Sequence, residues 1–272
     1  MQAKAWALRK LLWRWRHAAT QTPLTVLVPG VQRSGTNMMM EVLEQSLETQ
    51  VFHESDPRAF DGYYLRPLPR LLDLRAKCRA PYFVLKALLD SHMTAELMSY
   101  LAPAKAIWIY RDFRDMVNSN MVSWPGGRNQ IEDLMTDPFK TGYRARGMTA
   151  ATLATVRAHY RPDLPDAGAI ALFWYYRNQL FFDQGFDRDS RVLLLRYEDI
   201  VTQPSATLRG ACAFLGLDYS TRMARQIHAR SIGRRPPPAI DPGITALCEE
   251  MMARFDAVFE AQTKPQKRQD FA

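Results

Sequence analysis

Apolar residues occur along the chain in short runs, and each run is followed by a longer segment with helical spacing. Residues 24–28 form the first run, and the apolar positions of residues 36–47 recur at helical intervals. The run at 82–86 precedes a second segment of this kind at 91–101. We therefore predict a strand followed by a helix at both places.

The same strand-then-helix order recurs nearer the C-terminus. Residues 105–110 predict a strand that ends at Arg111, with acidic residues beyond it that suit a helix N-terminus. Residues 191–196 predict a further strand, followed by a helix at 204–215 that ends at Gly216. Repeated units of this kind predict an α/β fold with a mostly parallel sheet, helices on both faces, and ligands beyond the carboxyl ends of the strands.

Several segments flank or interrupt this pattern. Residues 1–22 form a basic, aromatic N-terminal arm, and residues 23–262 form the main domain. Within that domain, glycine and proline residues break the helical spacing at 123–168, which predicts an inserted segment that covers the substrate. A final helix is predicted at 244–259, and residues 263–272 form a loose tail.

The N-terminal arm has the spacing of a helix with two different apolar faces. One face carries Trp6 and Trp13. The other face carries Leu8, Leu11, Leu12 and Trp15. We expect either a surface helix docked on the main domain or a helix that contacts a membrane surface or an acidic partner. Charges interrupt the apolar positions and no cleavage site follows, which disfavours a secretory signal peptide.

Composition and charge indicate a folded protein that binds an anion locally. The chain has 272 residues, of which 47% are hydrophobic and 24% are charged, and its formal net charge is +8. The first 20 residues hold five basic residues and no acidic one, so the net charge of the rest of the chain is only +3. This modest charge suits a small anionic ligand and argues against nucleic acid as a partner.

Cysteine usage and the length of the apolar runs lead to an expectation of the compartment. Cys78, Cys212 and Cys248 are far apart and form no CxxC pair, so we expect neither a disulfide framework nor a zinc site. No apolar run reaches the roughly 18 residues that a membrane-spanning helix needs. We therefore expect a cytoplasmic protein, with the N-terminal arm as the candidate for peripheral membrane contact.

A loop suited to binding phosphate follows the first predicted strand. Residues 30–37 read Gly-Val-Gln-Arg-Ser-Gly-Thr-Asn, and a strand-to-helix junction lets backbone amides converge on phosphate oxygens. The glycines have the separation of the GxxxxGK[ST] motif, but Thr36 and Asn37 occupy its lysine and hydroxyl positions. Arg33 can supply the missing positive charge, and Ser34 further donors, which suits an anion held without a metal ion. An ordinary strand-to-helix turn is the alternative.

A second candidate anion site follows the strand at 105–110. Residues 111–119 read Arg-Asp-Phe-Arg-Asp-Met-Val-Asn-Ser. Arg111 at the strand end and Ser119 two helical turns later can converge on one phosphate, to which arginine offers forked, charge-assisted donors. The alternative is that Arg111 and Arg114 only pair with the neighbouring aspartates at a solvated helix start.

Together the two motifs resemble the sulfotransferase family that depends on 3′-phosphoadenosine 5′-phosphosulfate (PAPS). That family has an Arg-Ser-Gly-Thr-like loop after its first strand and Arg-x-x-Arg-Asp-x-x-x-Ser after a later one. Residues 192–199 and 204–216 look like the late strand and following helix of the family. The resemblance implies a P-loop-like three-layer α/β/α fold and transfer of the sulfuryl group of PAPS to a hydroxyl or amine of an acceptor.

The resemblance also implies which residues bind the cofactor. The phosphate loop would hold the 5′-phosphosulfate, Arg111 and Ser119 the 3′-phosphate, and Tyr197 would stack near the adenine or simply pack as an aromatic. Residues 230–235 resemble a basic loop that closes over the 3′-phosphate, although they depart from the Arg-Lys-Gly form of many animal cytosolic members. The implied cofactor-binding residues are Arg33, Ser34, Gly35, Thr36, Asn37, Arg111, Ser119, Tyr197, Arg230, Ser231, Gly233 and Arg234.

Catalytic roles are implied in the same way. Lys86 occupies the position of a family lysine near the bridging oxygen, and Arg33 can assist it with the charge on the leaving phosphate. Animal cytosolic members carry a histidine two residues after that lysine, where this chain has Leu88. Glu54 matches a glutamate of several bacterial and Golgi-type members, so we expect Glu54 to be the general base. The alternative bases are His53 and His92.

Two other functions stay open at this point. A P-loop kinase that uses ATP is the first, and the absent lysine of its motif and the added Arg111 and Ser119 pair argue against it. A catalytically inactive anion-binding protein of the same fold is the second. Residues 173–176 and Asn178 are candidates for lining an acceptor pocket or the core. The acceptor is expected to be a small molecule, aromatic or lipid-like, or an acidic glycan.

Overall fold

A five-stranded parallel sheet lies at the centre of the protein. The computed structural model describes residues 2–17, 21–124, 127–137, 142–225, 227–228 and 232–263. The strands of the described residues, five in this sheet and two outside it, are β1 (Leu24–Leu27), β2 (Thr49–Phe52), β3 (Phe60–Asp61), β4 (Tyr64–Leu65), β5 (Tyr82–Leu85), β6 (Ala104–Tyr110) and β7 (Val192–Arg196). The sheet order is β2-β5-β1-β6-β7, and each neighbouring pair is parallel. β3 and β4 form a separate antiparallel hairpin.

Helices connect the strands and cover both faces of the sheet. They are α1 (Gln2–Arg16), α2 (Thr36–Glu44), α3 (Leu68–Ala76), α4 (Thr94–Tyr100), α5 (Phe113–Ser123), α6 (Gly127–Thr136), α7 (Ala150–His159), α8 (Asp166–Asp183), α9 (Tyr197–Thr202), α10 (Pro204–Leu215) and α11 (Pro242–Thr263). The predicted α/β fold with a mostly parallel sheet is confirmed.

Two hydrophobic cores pack against the sheet, one on each face. In β1, Val26 belongs to the core that contains residues of α2 and α10, whereas Leu27 belongs to the core that contains residues of α8 and α11. Ile107 and Trp108 of β6 are divided between the two cores in the same way. Successive side chains of a strand point to opposite faces, so a strand buried on both faces is apolar throughout. The result is the expected three-layer α/β/α arrangement.

Most of the predicted elements are present, with some differences at their ends. The predicted strands correspond to β1, β5, β6 and β7, and the helix predicted at 204–215 is α10. The helix predicted at 36–47 ends earlier, at Glu44, because the Oγ1 of Thr49 donates to the carbonyl of Leu43 at 2.6 Å and the chain turns into β2. The helix predicted at 91–101 begins as a 3₁₀ turn before α4. The sequence pattern did not predict β2, the β3–β4 hairpin or α3.

The segment at 123–168 is largely helical where the structure describes it, with turns and irregular residues between its helices. It contains α6 and α7, and its last residues belong to α8, which begins at Asp166. Ile131 and Leu134 of α6 are fully buried, and α6 packs against α8. Residues 125–126 and 138–141 lie outside the described residues. The role of this segment as a substrate cover stays a prediction.

The predicted N-terminal helix is α1, and it docks on the main domain through polar atoms. The carbonyl of Glu44 accepts hydrogen bonds from Trp6 Nε1 at 3.2 Å and from Lys10 Nζ at 3.0 Å. Lys10 also pairs with the Glu44 carboxylate at 2.8 Å, and Arg14 donates to the carbonyl of Thr49 at 2.6 Å. Glu44 is the last residue of α2, so Lys10 places a cation where the helix dipole favours one. Across the described part of the chain, no helix is both long and apolar enough to cross a bilayer.

Candidate active site

The loop between β1 and α2 turns sharply at the carboxyl end of the sheet. Gly30, Arg33 and Gly35 have φ angles of 135°, 66° and 99°, in the region that favours glycine. A Cβ atom on Gly35 would lie 2.6 Å from Cδ2 of Tyr197, so only glycine fits there. Because Gly35 is the N-cap of α2 and has no side chain, the first amide groups of α2 are left for a ligand.

The side chain of Ser34 indicates whether this loop fits an anion. Its side chain is fully buried, and its Oγ has no hydrogen-bond partner within the described ranges. Leaving a buried hydroxyl unpaired costs about 1–3 kcal/mol, and proteins rarely do so without a reason. A helix N-terminus with an unsatisfied hydroxyl beside it therefore fits a phosphate or sulfate group.

Arg33 connects the loop to the second predicted anion site. Its Nε donates to the Oγ of Ser119 at 3.0 Å, and its carbonyl accepts from Nη1 of Arg111 at 2.9 Å. The guanidinium of Arg111 also stacks on Tyr197, 4.4 Å from the ring centroid, and Arg111 is buried. The structure thus brings residues from three separate strand ends into one continuous wall, with two arginines at its centre.

Lys86 and Glu54 form an ion pair beside the same loop. The Nζ of Lys86 donates to Oε2 of Glu54 and, at 2.6 Å, to Oδ1 of Asn37 in the loop. Burial raises the pKa of Glu54, and the nearby ammonium of Lys86 offsets that effect only in part. A carboxylate that binds protons more readily than it does in water suits a proton acceptor.

These side chains line a cleft of about 770 Å³. Its wall contains nine of the residues predicted for the site, in four groups: the loop, the Lys86 and Glu54 pair, the Arg111 and Ser119 pair, and the ring of Tyr197. They are Arg33, Gly35, Thr36, Asn37, Glu54, Lys86, Arg111, Ser119 and Tyr197. Ser34, also in the loop, is buried and is not among the residues that line the cleft.

The described residues of the predicted C-terminal basic loop do not line the cleft that holds the other predicted site residues. Gly233 and Arg234 line a neighbouring cleft of about 660 Å³, and the amide of Gly233 donates to both carboxylate oxygens of Asp115 at 3.2 Å. Arg230 and Ser231 lie outside the described residues. The cofactor-binding role of this segment stays a prediction.

Neither alternative base lines the cleft. Burial, together with the positive charges of Arg177 and Arg146, lowers the pKa of His92 to about 4. His53 precedes Glu54 but is also absent from the cleft wall. Among the described residues that line the cleft, Glu54 is the one with a carboxylate. No three His, Cys, Asp or Glu side chains in the described segments are close enough together to hold a metal ion.

The aromatic residues predicted for the acceptor pocket are divided between the cleft and the core. Phe173 lines the cleft. Trp174 is fully buried and donates from Nε1 to the carbonyl of Arg111 at 3.1 Å. This hydrogen bond holds the backbone of Arg111 in place. Tyr176 is buried in the core, and Asn178 accepts from Trp108 at 3.3 Å there. Only Phe173 of this group faces the cleft.

Sequence reasoning missed several residues that complete the cleft. Tyr63 lies at the turn of the β3–β4 hairpin with a φ of 71°, and Trp124 follows α5, with the guanidinium of Arg33 5.6 Å from its ring centroid. Leu88 and Leu89 lie two and three residues after Lys86 in the sequence, and that proximity was a signal for them. The remaining residues that were missed are Gln32, Met38, Asn120 and Arg144.

Comparison with known proteins identifies the class to which this fold and site belong. The family model described as the sulfotransferase domain matches residues 23–233. This match covers well over half of the chain, so the chain belongs to the sulfotransferase family, as its two anion-binding motifs predicted.

Two solved structures illustrate the shared fold. The sulfotransferase domain from the curacin biosynthetic pathway is 13% identical, with a TM-score of 0.52 over 86% of this chain and 99% of that one. A sulfotransferase from Alicyclobacillus acidocaldarius is 18% identical, with a TM-score of 0.50 over 89% of this chain and 97% of that one. At such low identity these similarities show the fold alone. No curated protein sequence matches this chain.

Proposed function

We propose that this chain transfers the sulfuryl group of PAPS to a hydroxyl or amine of a small acceptor molecule. The observation that carries the proposal is the contact of Arg33, in the phosphate loop, with both Arg111 and Ser119. The sequence motifs assign the loop to the 5′-phosphosulfate and the other two residues to the 3′-phosphate. A ligand with phosphate groups at both ends of an adenosine would use both sites at once.

The groups around the loop suit this cofactor. The open N-terminus of α2 and the buried Ser34 hydroxyl favour an anion in the loop. Arg33 and Arg111 add two guanidinium groups, whose forked donors match the geometry of a phosphate. The lysine that a P-loop kinase requires is replaced by Thr36. The site therefore supports PAPS over ATP with magnesium.

Different residues of the cleft serve different needs of an in-line transfer. PAPS, when bound, supplies a sulfuryl group whose transfer to the acceptor releases 3′,5′-adenosine bisphosphate (PAP). Lys86 and Arg33 place cations beside the loop, where they stabilise the negative charge that grows on the leaving phosphate. Glu54 accepts the proton that the acceptor hydroxyl or amine loses. Its ion pair with Lys86 holds the base and this cation in contact within one cleft.

The rest of the cleft favours an acceptor with an apolar body. Apart from the nine predicted site residues, most of the side chains that line the cleft are apolar or aromatic, and Arg144 adds a cation. The apolar and aromatic lining residues are Met38, Tyr63, Leu88, Leu89, Trp124 and Phe173. A cleft of about 770 Å³ is within the usual range for a small ligand. We therefore favour an aromatic or lipid-like small molecule over an extended acidic glycan.

Calorimetric binding of PAP, AMP and ATP with magnesium tests the cofactor assignment. We expect PAP to bind most tightly, because AMP lacks the 3′-phosphate that Arg111 and Ser119 would hold. Arg111→Ala should weaken PAP binding by roughly 10- to 100-fold, since charge-assisted hydrogen bonds contribute about 1.5–3 kcal/mol. Arg209→Ala is the matched control, because Arg209 also stacks on a tyrosine, 4.3 Å from the ring centroid of Tyr219, away from the cleft.

Three results would contradict the proposal. Tighter binding of ATP with magnesium would favour the kinase interpretation. Unchanged PAP affinity in Arg111→Ala, with normal folding verified by circular dichroism, would remove the 3′-phosphate assignment. Tight PAP binding without transfer to any of a panel of phenols, alcohols and amines would favour the inactive anion-binding protein.

A further inference from the structure

The outward face of α1 carries large apolar side chains that the protein itself leaves exposed. Each of them keeps more than half of its surface accessible to solvent. They are Leu8 (56%), Leu11 (63%), Leu12 (52%) and Trp15 (73%). Single exposed leucines are ordinary, but four large side chains at positions i, i+3, i+4 and i+7 form a continuous stripe. We call these four residues the apolar stripe.

The way α1 docks fixes the direction in which this stripe points. Residues advance by about 100° around a helix axis, so the apolar stripe lies on the side opposite Trp6, Lys10 and Arg14. Those three residues donate hydrogen bonds to the carbonyls of Glu44 and Thr49. A surface helix ordinarily buries its apolar face and exposes its polar one. Here α1 is held by polar atoms, and its leucines face outward.

The charge around the stripe indicates what covers it. Arg9 and Arg16 are exposed on one flank of the stripe, whereas Lys10 and Arg14 bind the main domain on the opposite side. A second copy of the chain docked through this face would bring two such cationic flanks together, and their repulsion opposes pairing. An anionic lipid bilayer carries negative headgroups, which are complementary in charge to the arginines of the flank. Its acyl chains lie beneath the headgroups and are apolar, as the stripe is.

We propose that α1 docks the protein on the surface of an anionic lipid bilayer. The apolar stripe enters the boundary between headgroups and acyl chains, and the helix lies parallel to the membrane plane. Trp15 occupies the interfacial level that tryptophan favours, and the stems of Arg9 and Arg16 let their guanidinium groups reach lipid phosphates. This proposal does not depend on the reaction that the cleft carries out.

Flotation with lipid vesicles tests the proposal on the full-length chain. We expect binding to vesicles of phosphatidylcholine mixed with phosphatidylserine, and weak binding to phosphatidylcholine alone. Leu11→Ser with Trp15→Ser should reduce binding by more than tenfold, because two large side chains lose their place in the bilayer. Both side chains are exposed, so the fold should tolerate the change. The matched control is Leu72→Ser with Tyr100→Ser, which removes two exposed apolar side chains outside α1.

A separate variant tests the electrostatic contribution of the two arginines to vesicle binding. Arg9→Ala with Arg16→Ala should weaken binding to the anionic vesicles by about fivefold for each arginine and leave binding to neutral vesicles unchanged. Quenching of tryptophan fluorescence by brominated lipids should fall in Trp15→Phe if Trp15 enters the bilayer.

Three outcomes would overturn the membrane proposal. The first is the absence of vesicle binding by the unaltered protein. The second is equal loss of binding in the Leu72/Tyr100 control, which would make the contact nonspecific. The third is self-association in sedimentation velocity that the Leu11/Trp15 variant abolishes while vesicle binding persists, since the stripe would then belong to a dimer interface.

Discussion

Nε of Arg33 donates a hydrogen bond to Oγ of Ser119 at 3.0 Å, although 86 residues separate the two in sequence. The bond joins the loop after β1 to helix α5 after β6, and these two strands are neighbours in the sheet. Parallel neighbours end at the same edge, which is why two motifs far apart in sequence meet at one cleft. The contact places a serine hydroxyl next to a guanidinium, and both side chains line the cleft.

Ser119→Ala should weaken PAP binding by roughly 10- to 100-fold, because one hydrogen bond to a charged group contributes about 1.5–3 kcal/mol. The hydroxyl is proposed to donate to the 3′-phosphate and also anchors Arg33, so both losses act on the same ligand. Ser123→Ala, at the exposed end of the same helix, is the control and should leave the affinity unchanged. Isothermal titration calorimetry measures both. Equal affinities for the Ser119 variant and the unaltered protein would refute a role for this hydroxyl.

Gly35→Ala should lower the free energy of unfolding by about 1–3 kcal/mol and weaken PAP binding by more than tenfold. The new Cβ atom would lie 2.6 Å and 2.9 Å from two ring carbons of Tyr197, and the φ of 99° is unfavourable for alanine. Relief of this clash has to displace the loop, the ring of Tyr197, or both.

Gly210→Ala is the matched glycine variant. Gly210 lies within α10, and a Cβ there would meet no atom within 4 Å. Replacement of a helical glycine by alanine should raise the free energy of unfolding by about 0.5–1 kcal/mol. Urea denaturation compares the two variants, and a Gly35 variant as stable as the Gly210 variant would contradict the tight packing of the loop on Tyr197.

Features that depend on local sequence were predictable. The loop at Gly30, Arg33 and Gly35 and the strand-end Arg111 follow apolar runs that are buried on both faces of the sheet, so a strand and its carboxyl end could be located from the pattern alone. The contact between the two motifs followed from the parallel sheet. Lys86 was predictable because it ends one of these runs.

Features set by distant contacts were not predictable. Tyr63 belongs to a hairpin of two-residue strands, which is too short for any periodic signal. The segment that contains Trp124 and Arg144 has no repeating pattern, and its position depends on packing of α6 against α8. The early end of α2 depends on a hydrogen bond from Thr49, five residues beyond the last helical residue, and on docking of Lys10 from α1.

His92 should make the protein less stable as the pH falls. Burial and two nearby arginines lower its pKa in the folded state to about 4, below the 6.5 of the unfolded chain. The unfolded chain therefore binds a proton that the folded protein rejects, so the contribution of His92 is complete above pH 6.5 and is lost as the pH falls towards 4. Allowing for partial exposure of the ring, we expect this loss to be on the order of 1 kcal/mol.

Urea denaturation between pH 7 and pH 4 measures this effect as a difference between the unaltered protein and His92→Gln. The stability advantage of the unaltered protein should shrink over that interval, because glutamine does not titrate. His228→Gln, at an exposed position, is the control for the same replacement elsewhere in the chain. A stability difference between the unaltered protein and His92→Gln that does not change with pH would show that the His92 ring is not held neutral by its surroundings.

Glu54→Gln should separate stability from catalysis. Burial raises the pKa of Glu54 in the folded state above its ordinary value of 4.5, despite the ion pair with Lys86. The folded protein therefore holds the proton more tightly than the unfolded chain does. The contribution of Glu54 is complete below pH 4.5 and is lost as the pH rises through the folded-state pKa. Glutamine resembles the protonated side chain, so the variant should gain stability relative to the unaltered protein between pH 4 and pH 8.

The same variant should lose turnover while it keeps the cofactor. A positioned general base contributes roughly 10²- to 10⁴-fold, so release of PAP from PAPS with an accepted phenol or alcohol should fall by at least 100-fold. PAP affinity should stay within about threefold, because Glu54 is an acceptor and offers no donor to a phosphate. Glu250→Gln, an exposed glutamate of α11, is the control for both measurements. Full turnover in Glu54→Gln would assign the base to another group. A steady loss of stability relative to the unaltered protein as the pH rises would instead mean that the ion pair with Lys86 outweighs the cost of burying the carboxylate.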